Sequence, residues 1–413
     1  MKIEKLTLKN FRGIDELPLS FNSKMNIIFG INGAGKSSIL DATVIMLSWA
    51  VNRIKHSGSS GKPITENDIK NGASFSTIEL ETNAAKWKIV KARKGHGTPE
   101  EKSDYTDLNG FSKYIQSQIA DNHPISLPLF VYYPINRAVI DIPLRIKNKH
   151  NFDVLSAYED ALGGGANFRT FFEWFRERED LENENNANSI QKTTDKSLDA
   201  VRMAWELFLP EFKNFRVRRS PLRLEVEKNG KKLSVNQLSD GEKVLLSMIG
   251  DLARRLSIAN PNLSNPLDGE AIVLIDEIDL HLHPKWQRMV IEKFPSVFKN
   301  CQFIMTTHSP HIITHTRAEN LFRLKQIDMK VTCEKPIESY GKNVDRILED
   351  LMGLDTTRPN SVKNYFDEIY TLIDKNDFAL AKEKIISLKN DIGEDSDLLK
   401  AELLIRRKEV IGK

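Results

Sequence analysis

Hydrophobic residues along the chain fall into short apolar runs that end in glycine or in polar and charged side chains. Such runs are typical of strands that are buried on both faces of a sheet. Residues 2–9, 77–80 and 87–93 instead alternate apolar and polar positions, which predicts strands with one face in water. The predominantly apolar runs, which we expect to form the centre of the sheet, are 25–29, 127–133, 271–275 and 301–305.

Other parts of the chain have the spacing of helices. Residues 39–47 have the length and apolar content of a buried helix. Between 145 and 215, aromatic residues recur at helical spacing, which predicts a packed helical core; an aromatic cofactor cage is the alternative. From residue 343 onward the apolar positions again follow a helical period, which predicts a small antiparallel helical tail. The aromatic positions are Phe168, Phe171, Phe172, Trp174 and Phe175.

These patterns predict an α/β fold in which helices flank a mixed central sheet. We expect a first lobe over 1–140, a mostly helical insertion over 141–225, a second lobe over 226–340 and the helical tail over 341–413. A hydrophobic content of 40% is enough to form a real core for a chain of this length.

Composition limits the function classes. A formal net charge of +3 is nearly balanced, so a nucleic-acid surface would have to be a local patch. The densest basic stretch, 213–223, alternates enough to be a strand and fits either such a surface or a strand edge protected by charge. Cys301 and Cys333 are the only cysteines, which fits a reducing cytosol. We find no signal-sequence pattern and no apolar run of about 18 residues, so we expect a cytoplasmic protein without a membrane segment.

Residues 30–38, Gly30-Ile-Asn-Gly-Ala-Gly-Lys-Ser-Ser38, fit the phosphate-binding pattern G-x-x-x-x-G-K-[ST] between a predicted strand and a predicted helix. The glycines let backbone N–H groups turn inward around an anion, and the helix N-terminus adds partial positive charge. Lys36 is expected to reach the β- and γ-phosphates of a nucleotide, and Ser37 to hold Mg²⁺. A chance glycine turn is the alternative, but the partner motifs that a phosphate loop needs follow in order.

Two further buried strands end in groups that suit phosphate chemistry. The run 271–275 leads to Asp276, which should orient Mg²⁺, and to Glu277, which is placed to polarise an attacking water as a general base. A solvent-facing acid pair is the alternative. The run that begins at 301 leads to His308, which can reach a γ-phosphate if its strand lies beside the one that ends at Asp276. A satisfied core histidine is the alternative there.

Two short motifs accompany these strands. Leu238-Ser-Asp-Gly-Glu242 opens a predicted helix with a capping box. Asp279-Leu-His-Leu-His283 follows Glu277 and offers Asp279, His281 and His283 as metal ligands or, as the better fit, a contact loop across a dimer.

Together the motifs resemble those of the ABC-type ATPases of the RecF, SMC and OLD group. Asn10-Phe-Arg-Gly13 is similar to the opening N-F-[RK]-[GS] motif of that group, which implies that Arg12 contacts bound nucleotide. The resemblance covers roughly residues 1–50 and 230–330. Within it, 30–37 resembles Walker A, 238–242 the signature motif, 272–277 Walker B, Asp279 the D-loop and His308 the switch histidine.

This resemblance implies an Mg²⁺-dependent ATPase that works as a homodimer or higher oligomer, with ATP held between two heads. One subunit would hold ATP in its phosphate loop while the other brings Ser239 and Gly241 to the γ-phosphate. Glu277, His308 and Lys36 would then be catalytic, and Ser37 and Asp276 would hold the metal. The residues that the resemblance places against the nucleotide are Arg12, Asn32, Gly33, Ala34, Gly35, Lys36, Ser37, Ser38, Ser239, Gly241 and Asp279.

The chain also departs from parts of this group. No long heptad coiled coil separates Walker A from the signature motif, as it does in SMC proteins, and no TOPRIM or HNH nuclease motif is evident. The glutamine usual in the Q-loop is missing, and Asn136-Arg137 is its candidate substitute. The compact form resembles stand-alone ATPases of anti-phage operons of the Septu type, which act with a separately encoded nuclease.

The sequence therefore predicts an ATPase that senses or regulates, with a separate HNH- or TOPRIM-type nuclease as partner. The alternative is a RecF-like repair clamp that binds DNA directly, with 213–223 as the contact surface. A transporter's ATPase subunit is disfavoured because the opening N-F-R-G motif is not its pattern, and a small-molecule kinase is disfavoured because it needs no signature motif.

Overall fold

The computed structural model describes residues 1–97, 99–121, 126–135, 153–164, 168–187, 193–327 and 330–411. The chain divides into two compact units, unit 1 over Met1–Lys342 and unit 2 over Asn343–Lys413. The strands of unit 1 are, in chain order, β1 (Ile3–Phe11), β2 (Ile14–Ser20), β3 (Met25–Gly30), β4 (Phe75–Thr82), β5 (Lys86–Ala92), β6 (Leu129–Tyr133), β7 (Phe212–Arg219), β8 (Leu222–Lys228), β9 (Lys231–Ser234), β10 (Ala271–Ile275), β11 (Cys301–Thr307), β12 (Leu321–Ile327) and β13 (Lys330–Glu334).

The α-helices follow the same order. Those of unit 1 are α1 (Lys36–Lys55), α2 (Thr106–Ala120), α3 (Phe168–Ala187), α4 (Lys196–Phe208), α5 (Asp240–Ala259), α6 (Pro284–Val297) and α7 (Pro310–Thr314). Those of unit 2 are α8 (Val344–Arg346), which continues as a π-helical turn over Ile347–Leu351, then α9 (Asn360–Asp374), α10 (Phe378–Ile392) and α11 (Ser396–Ile411). Among the described residues, no helix combines the length and the apolar content that crossing a membrane requires.

The central sheet of unit 1 has the strand order β13-β12-β3-β11-β10-β6. Every neighbouring pair is parallel except β12 and β13. The strands β10 and β11 are buried along their whole length, which explains why they read as continuous apolar runs. In this register Phe29 pairs with Thr307, and Ile275 pairs with both Met305 and Tyr133. The carboxyl ends of β3, β6, β10 and β11 therefore lie along one edge of the sheet.

Among the buried polar side chains of these strands, Gln302 and Asn26 join elements that are far apart in sequence. Gln302 is fully buried, and its amide accepts a hydrogen bond from the Ile3 N–H and donates one to the Ile3 carbonyl, each at 2.7 Å. Asn26 is also fully buried and donates to the carbonyls of Asn22 and Phe303. A buried amide is tolerated here because its hydrogen bonds are satisfied, and these bonds link β1 and β3 to β11.

Two antiparallel sheets accompany the central one. The first has the order β2-β1-β4-β5, and the second is the meander β7-β8-β9. The basic stretch 213–223, predicted as one strand, is instead a hairpin: β7 ends at Arg219, and β8 begins at Leu222. A turn at Ser220-Pro221 separates the two strands. The prediction of one strand is wrong because the alternation of charges does not show where the chain reverses.

Three arginines of this hairpin are paired with acidic side chains. Arg216 and Arg223 both bond to Glu225, at 3.1 and 2.5 Å. Arg219 bonds to Glu179, at 2.5 Å, and to Asp180 on α3. Because β7 is an edge strand, this arrangement fits a charged strand edge better than a continuous basic surface.

The aromatic residues of α3 pack as a core. Phe171, Trp174 and Phe175 are fully buried, and Phe171 and Phe175 pack against Trp205 of α4 at ring-centroid distances of 5.4 and 5.6 Å. Trp205 in turn packs on Phe215 of β7 at 4.2 Å. These rings pack against one another. The prediction of a packed core is therefore confirmed, and these residues do not form an aromatic cofactor cage.

Unit 2 has a hydrophobic core of its own. The helices α9, α10 and α11 pack around apolar side chains, and the guanidinium of Arg358 binds Asp395 and Asp397 at 3.0 and 2.7 Å. The core residues of unit 2 are Phe366, Ile369, Ile373, Ala381, Ile385, Leu388, Leu398, Ala401 and Ile405.

Candidate functional site

The phosphate loop joins β3 to α1 and has the backbone that an anion needs. Gly33 and Gly35 adopt left-handed φ angles of 80° and 94°, which favour glycine. A Cβ on Gly30 would lie 2.5 Å from the Leu324 carbonyl oxygen, so this glycine is needed for close approach to β12. Gly35 is the N-cap of α1 and offers no side-chain oxygen to the first N–H groups. Those groups are left for an anion in front of the helix, and Asn32 and Gly33 are exposed around it.

Lys36 lies between this loop and a group of carboxylates. Its ammonium group donates to the carbonyls of Gly30 and Ile31, both at 3.0 Å. Burial lowers the pKa of Lys36 below its usual value, against the attraction of Glu277, Asp276 and Asp279. The sequence-predicted lysine and carboxylates are thus brought together.

The carboxylates follow β10 at the edge of the sheet where β3 also ends. Asp276 is 3% exposed, and its Oδ1 accepts a hydrogen bond from the Thr306 hydroxyl at 2.5 Å. The Glu277 N–H donates to the same hydroxyl at 2.7 Å, and Glu277 has a left-handed φ of 46°. The hydroxyl of Ser37, which is exposed at the start of α1, and the carboxylate of Asp276 are oxygen ligands of the kind that Mg²⁺ prefers.

His308 and Asp279 are linked one residue beyond β11. The Oδ1 of Asp279 accepts a bond from the Thr307 hydroxyl at 2.5 Å and one from the His308 N–H at 3.3 Å. Burial and the charge of Lys36 lower the pKa of His308 below its usual 6.5, so its imidazole is neutral at pH 7. A neutral imidazole can donate one hydrogen bond to a phosphate oxygen without carrying a charge.

The signature motif forms the exposed N-terminus of α5. Ser239 caps the helix in a capping box with Glu242, and its N–H donates to the Glu242 carboxylate at 2.8 Å. Lys228 of β8 also bonds to Glu242. A Cβ on Gly241 would lie 2.4 Å from the His281 carbonyl oxygen, so the signature glycine lets the helix start touch the loop after Asp279. Ser239 itself is exposed to solvent.

Arg12 is fixed beside the phosphate-loop helix. Its Nε donates to Asp68 at 2.9 Å and its Nη1 to Asp41, in the second turn of α1, at 2.6 Å. The side chain remains 35% exposed. Neither carboxylate was singled out from the sequence, and the only local signal is the capping box between Thr65 and Asp68.

Two further predictions concern the substitute for the Q-loop glutamine and the histidines after Asp279. Asn136-Arg137, the candidate substitute for the Q-loop glutamine, lies outside the described residues. His283 caps α6 by accepting a bond from the Lys285 N–H at 3.3 Å. In the described part of the chain, no group of three or more His, Cys, Asp or Glu side chains could hold a metal ion, so the histidines of this loop gain no support as metal ligands.

Comparison with known proteins agrees with this geometry. The profile of a family described as "AAA domain, putative AbiEii toxin, Type IV TA system" matches residues 25–314. The chain belongs to this family, within the RecF, SMC and OLD group of ABC-type ATPases. The match of this ABC-type ATPase to its family spans every motif from Walker A to the switch histidine.

Two bacterial proteins are among the relatives of this ABC-type ATPase. It is 33% identical over 389 residues to the "Retron Ec83 probable ATPase" of Escherichia coli, covering 79% of this chain and 72% of the relative. It is 27% identical over 371 residues to the "Septu protein PtuA" of Bacillus thuringiensis, covering 86% and 85%.

One solved structure, an SMC head bound to the C-winged helix domain of ScpA, shares the fold with a TM-score of 0.50. It has 15% sequence identity and covers 81% of this chain and 98% of that one.

Proposed function

We propose that this ABC-type ATPase binds ATP with Mg²⁺ and hydrolyses it, and that the nucleotide state of paired heads controls a separately encoded nuclease in anti-phage defence. The observation that supports the ATPase function best is the placement of Lys36, Asp276, Glu277 and His308 at neighbouring strand ends of one sheet. A positive charge, carboxylates and a neutral imidazole around one anion-binding loop are the groups that phosphoryl transfer uses.

Each side chain has a role in this proposal. The N–H groups of the loop and the ammonium of Lys36 bind the β- and γ-phosphates, and Arg12 contacts the nucleotide from the side of α1. Ser37 and Asp276 hold Mg²⁺, which neutralises phosphate charge when bound. Glu277 accepts a proton from the attacking water, and His308 donates a hydrogen bond to the γ-phosphate.

The signature motif supports a head-to-tail dimer. Ser239 and Asp240 at the start of α5 are exposed, whereas Gly241 is buried against the loop after Asp279. In the proposed dimer, Ser239 and Gly241 of one subunit approach the γ-phosphate held by the other. ATP then links the two heads, and loss of the γ-phosphate removes the link.

The proposed partner follows from relatives and from what this sequence lacks. The relatives carry the names of retron and Septu systems, and no HNH or TOPRIM motif is evident in this chain. We propose an HNH- or TOPRIM-type nuclease on a second chain as the effector.

Two substitutions test the ATPase function. Lys36→Ala removes the charge beside the phosphates, so ATP binding should be lost. Glu277→Gln keeps the size of the side chain but removes the base, so hydrolysis should fall by about a hundredfold or more while ATP still binds. This variant should accumulate as an ATP-bound dimer. Titration with a fluorescent ATP analogue, phosphate release and light scattering measure the three effects.

Glu319→Gln is the matched control, since Glu319 is an exposed glutamate of the same unit and should leave binding and hydrolysis unchanged. Hydrolysis by Glu277→Gln at the wild-type rate would reject the general base. Wild-type affinity in Lys36→Ala would reject the proposed nucleotide site.

A further inference from the structure

We propose that Thr306 is a positioning residue of the catalytic centre, whose hydroxyl fixes both the Glu277 backbone and the Asp276 carboxylate. The proposal rests on the role assigned above to Glu277. Thr306 itself touches neither nucleotide nor water in this proposal, and it acts through the two carboxylates.

The contacts of one hydroxyl carry the proposal. A threonine hydroxyl has one proton to donate and lone pairs to accept. In Thr306 the proton goes to Asp276 Oδ1 at 2.5 Å, and the oxygen accepts the Glu277 N–H at 2.7 Å. The Thr306 carbonyl also accepts the Ile278 N–H at 3.0 Å. A single residue of β11 therefore holds three consecutive residues at the end of β10.

The backbone of Glu277 makes this support necessary. Its φ of 46° lies in the left-handed region, which is unfavourable for a non-glycine residue. Such a conformation persists where surrounding contacts fix it. The bond from the Glu277 N–H to Thr306 is one of those contacts, and it sets the direction in which the Glu277 side chain leaves the strand.

The strand itself does not need the hydroxyl. Thr306 is fully buried between Met305 and Thr307 in a strand whose other neighbours include Phe303 and Ile304. Valine has nearly the same shape and a high preference for strands. A purely structural role would therefore be served as well by valine, and the polar atom is explained by its two partners.

The test compares Thr306→Val, which removes the hydroxyl, with Thr306→Ser, which keeps it. We expect Thr306→Val to lower kcat for ATP hydrolysis by about tenfold to a hundredfold, with KM and the Kd for an ATP analogue within about threefold of wild type. Thr306→Ser should restore kcat to within about threefold. Thr306→Ala removes the same hydroxyl if valine prevents folding, and thermal melting monitors folding in every variant.

Thr316→Val is the matched control. Thr316 is buried, and its hydroxyl donates only to the Ile312 carbonyl one turn earlier, at 2.7 Å, so its loss should leave kcat unchanged. Thr306→Val with kcat within twofold of wild type would overturn the proposal, as would Thr306→Ser falling as far as Thr306→Val.

The double variant separates this proposal from the general-base assignment. If Thr306 acts through Glu277, adding Thr306→Val to Glu277→Gln should lower the residual kcat little further. Fully additive losses would overturn positioning through Glu277 while leaving the general base intact. Wild-type hydrolysis by Glu277→Gln alone would instead reject the general-base role on which this proposal rests.

Discussion

Arg12 is held at the edge of the phosphate loop by two carboxylates from distant parts of unit 1. Its backbone N–H donates to the Asp68 carbonyl at 2.7 Å, and its guanidinium binds Asp41 and Asp68. Asp68 Oδ2 accepts two further bonds, from the N–H and the hydroxyl of Thr65. Burial would lower the pKa of Arg12, but the bonds to Asp41 and Asp68 raise it. The side chain is thus charged and held in one orientation by Asp41 and Asp68.

Asp68→Asn should weaken ATP binding by about fivefold, because Arg12 loses the charge of one of its two anchors and must be ordered at the moment of binding. The kcat should change little, since the hydrolytic groups are untouched. Titration with an ATP analogue measures the affinity. Asp15→Asn is the control, because Asp15 lies on the same β1–β2 hairpin as Arg12, pairs with Lys70 and is 42% exposed. Equal affinity for Asp68→Asn and wild type would show that this anchor is dispensable.

The sequence alone identifies those candidate site residues that belong to short local motifs. Lys36, Asp276, Glu277 and His308 each follow a predicted strand or glycine loop within a few residues, so a short motif marks them. Thr306, Asp41 and Asp68 act through partners that are 29 to 56 residues away along the chain. No spacing rule connects such partners, and only the folded register of the strands brings them together.

The helix α5 is anchored at its middle by a buried charge cluster. Asp251 is fully buried and accepts bonds from Arg254 at 2.9 Å, from Arg255 at 2.7 Å and from the Tyr133 hydroxyl at 3.1 Å. Arg255 also donates to the carbonyls of Ala157 and Glu159 at 2.8 and 2.7 Å. The helix that begins with the signature motif is therefore tied to β6 and to the segment 153–164.

Asp251→Asn should destabilise unit 1 by about 3 to 5 kcal/mol, because it leaves two buried guanidinium groups without their counter-charge. Urea unfolding followed by circular dichroism measures the change. Asp199→Asn is the control: Asp199 is 41% exposed, and its only described ion pair is with Arg202 at 3.7 Å, so the effect should be small. A loss no larger than that of the control would contradict a structural role for the cluster.

The charge cluster around Asp251 should make the stability of unit 1 depend on pH. Burial raises the pKa of Asp251, but the charges of Arg255 and Arg254 outweigh it, and the pKa lies below its usual 3.8. A lowered folded-state pKa contributes stability above the unfolded-state value, and that stability is lost as pH falls through the folded-state value. Wild type should therefore lose more stability below about pH 4 than Asp251→Asn does.

At the level of strands and helices, their predicted alternation was sufficient to predict the α/β fold, and this prediction is confirmed. The meander β7-β8-β9 was not anticipated as a separate sheet. Its first two strands alternate buried apolar and charged residues, and the pairing of Arg216 with Glu225 stabilises them only once the two strands are adjacent. The residue pattern along a single strand does not show which side chains pair across two strands.

For the whole molecule, the proposed nuclease can be tested with the Glu277→Gln variant as bait in the presence of ATP. Trapped, ATP-bound heads should hold the effector most firmly, so a pull-down from the native host followed by mass spectrometry should recover a nuclease in stoichiometric amount. Lys36→Ala is the control, since it should lack the ATP-bound form. A clean bait that carries nucleic acid and no protein would favour the RecF-like repair clamp instead.

The position of β3 in the central sheet has a consequence for how the protein is made. Its neighbours β11 and β12 both lie beyond residue 300, and the backbone of Ile3 is bonded to Gln302. Because translation runs from the N-terminus, β3 and the phosphate loop are made well before the strands beyond residue 300 that pair with β3. Nascent chains thus present an unsatisfied strand edge until β11 and β12 emerge, a period in which chaperone binding or misassembly competes with folding.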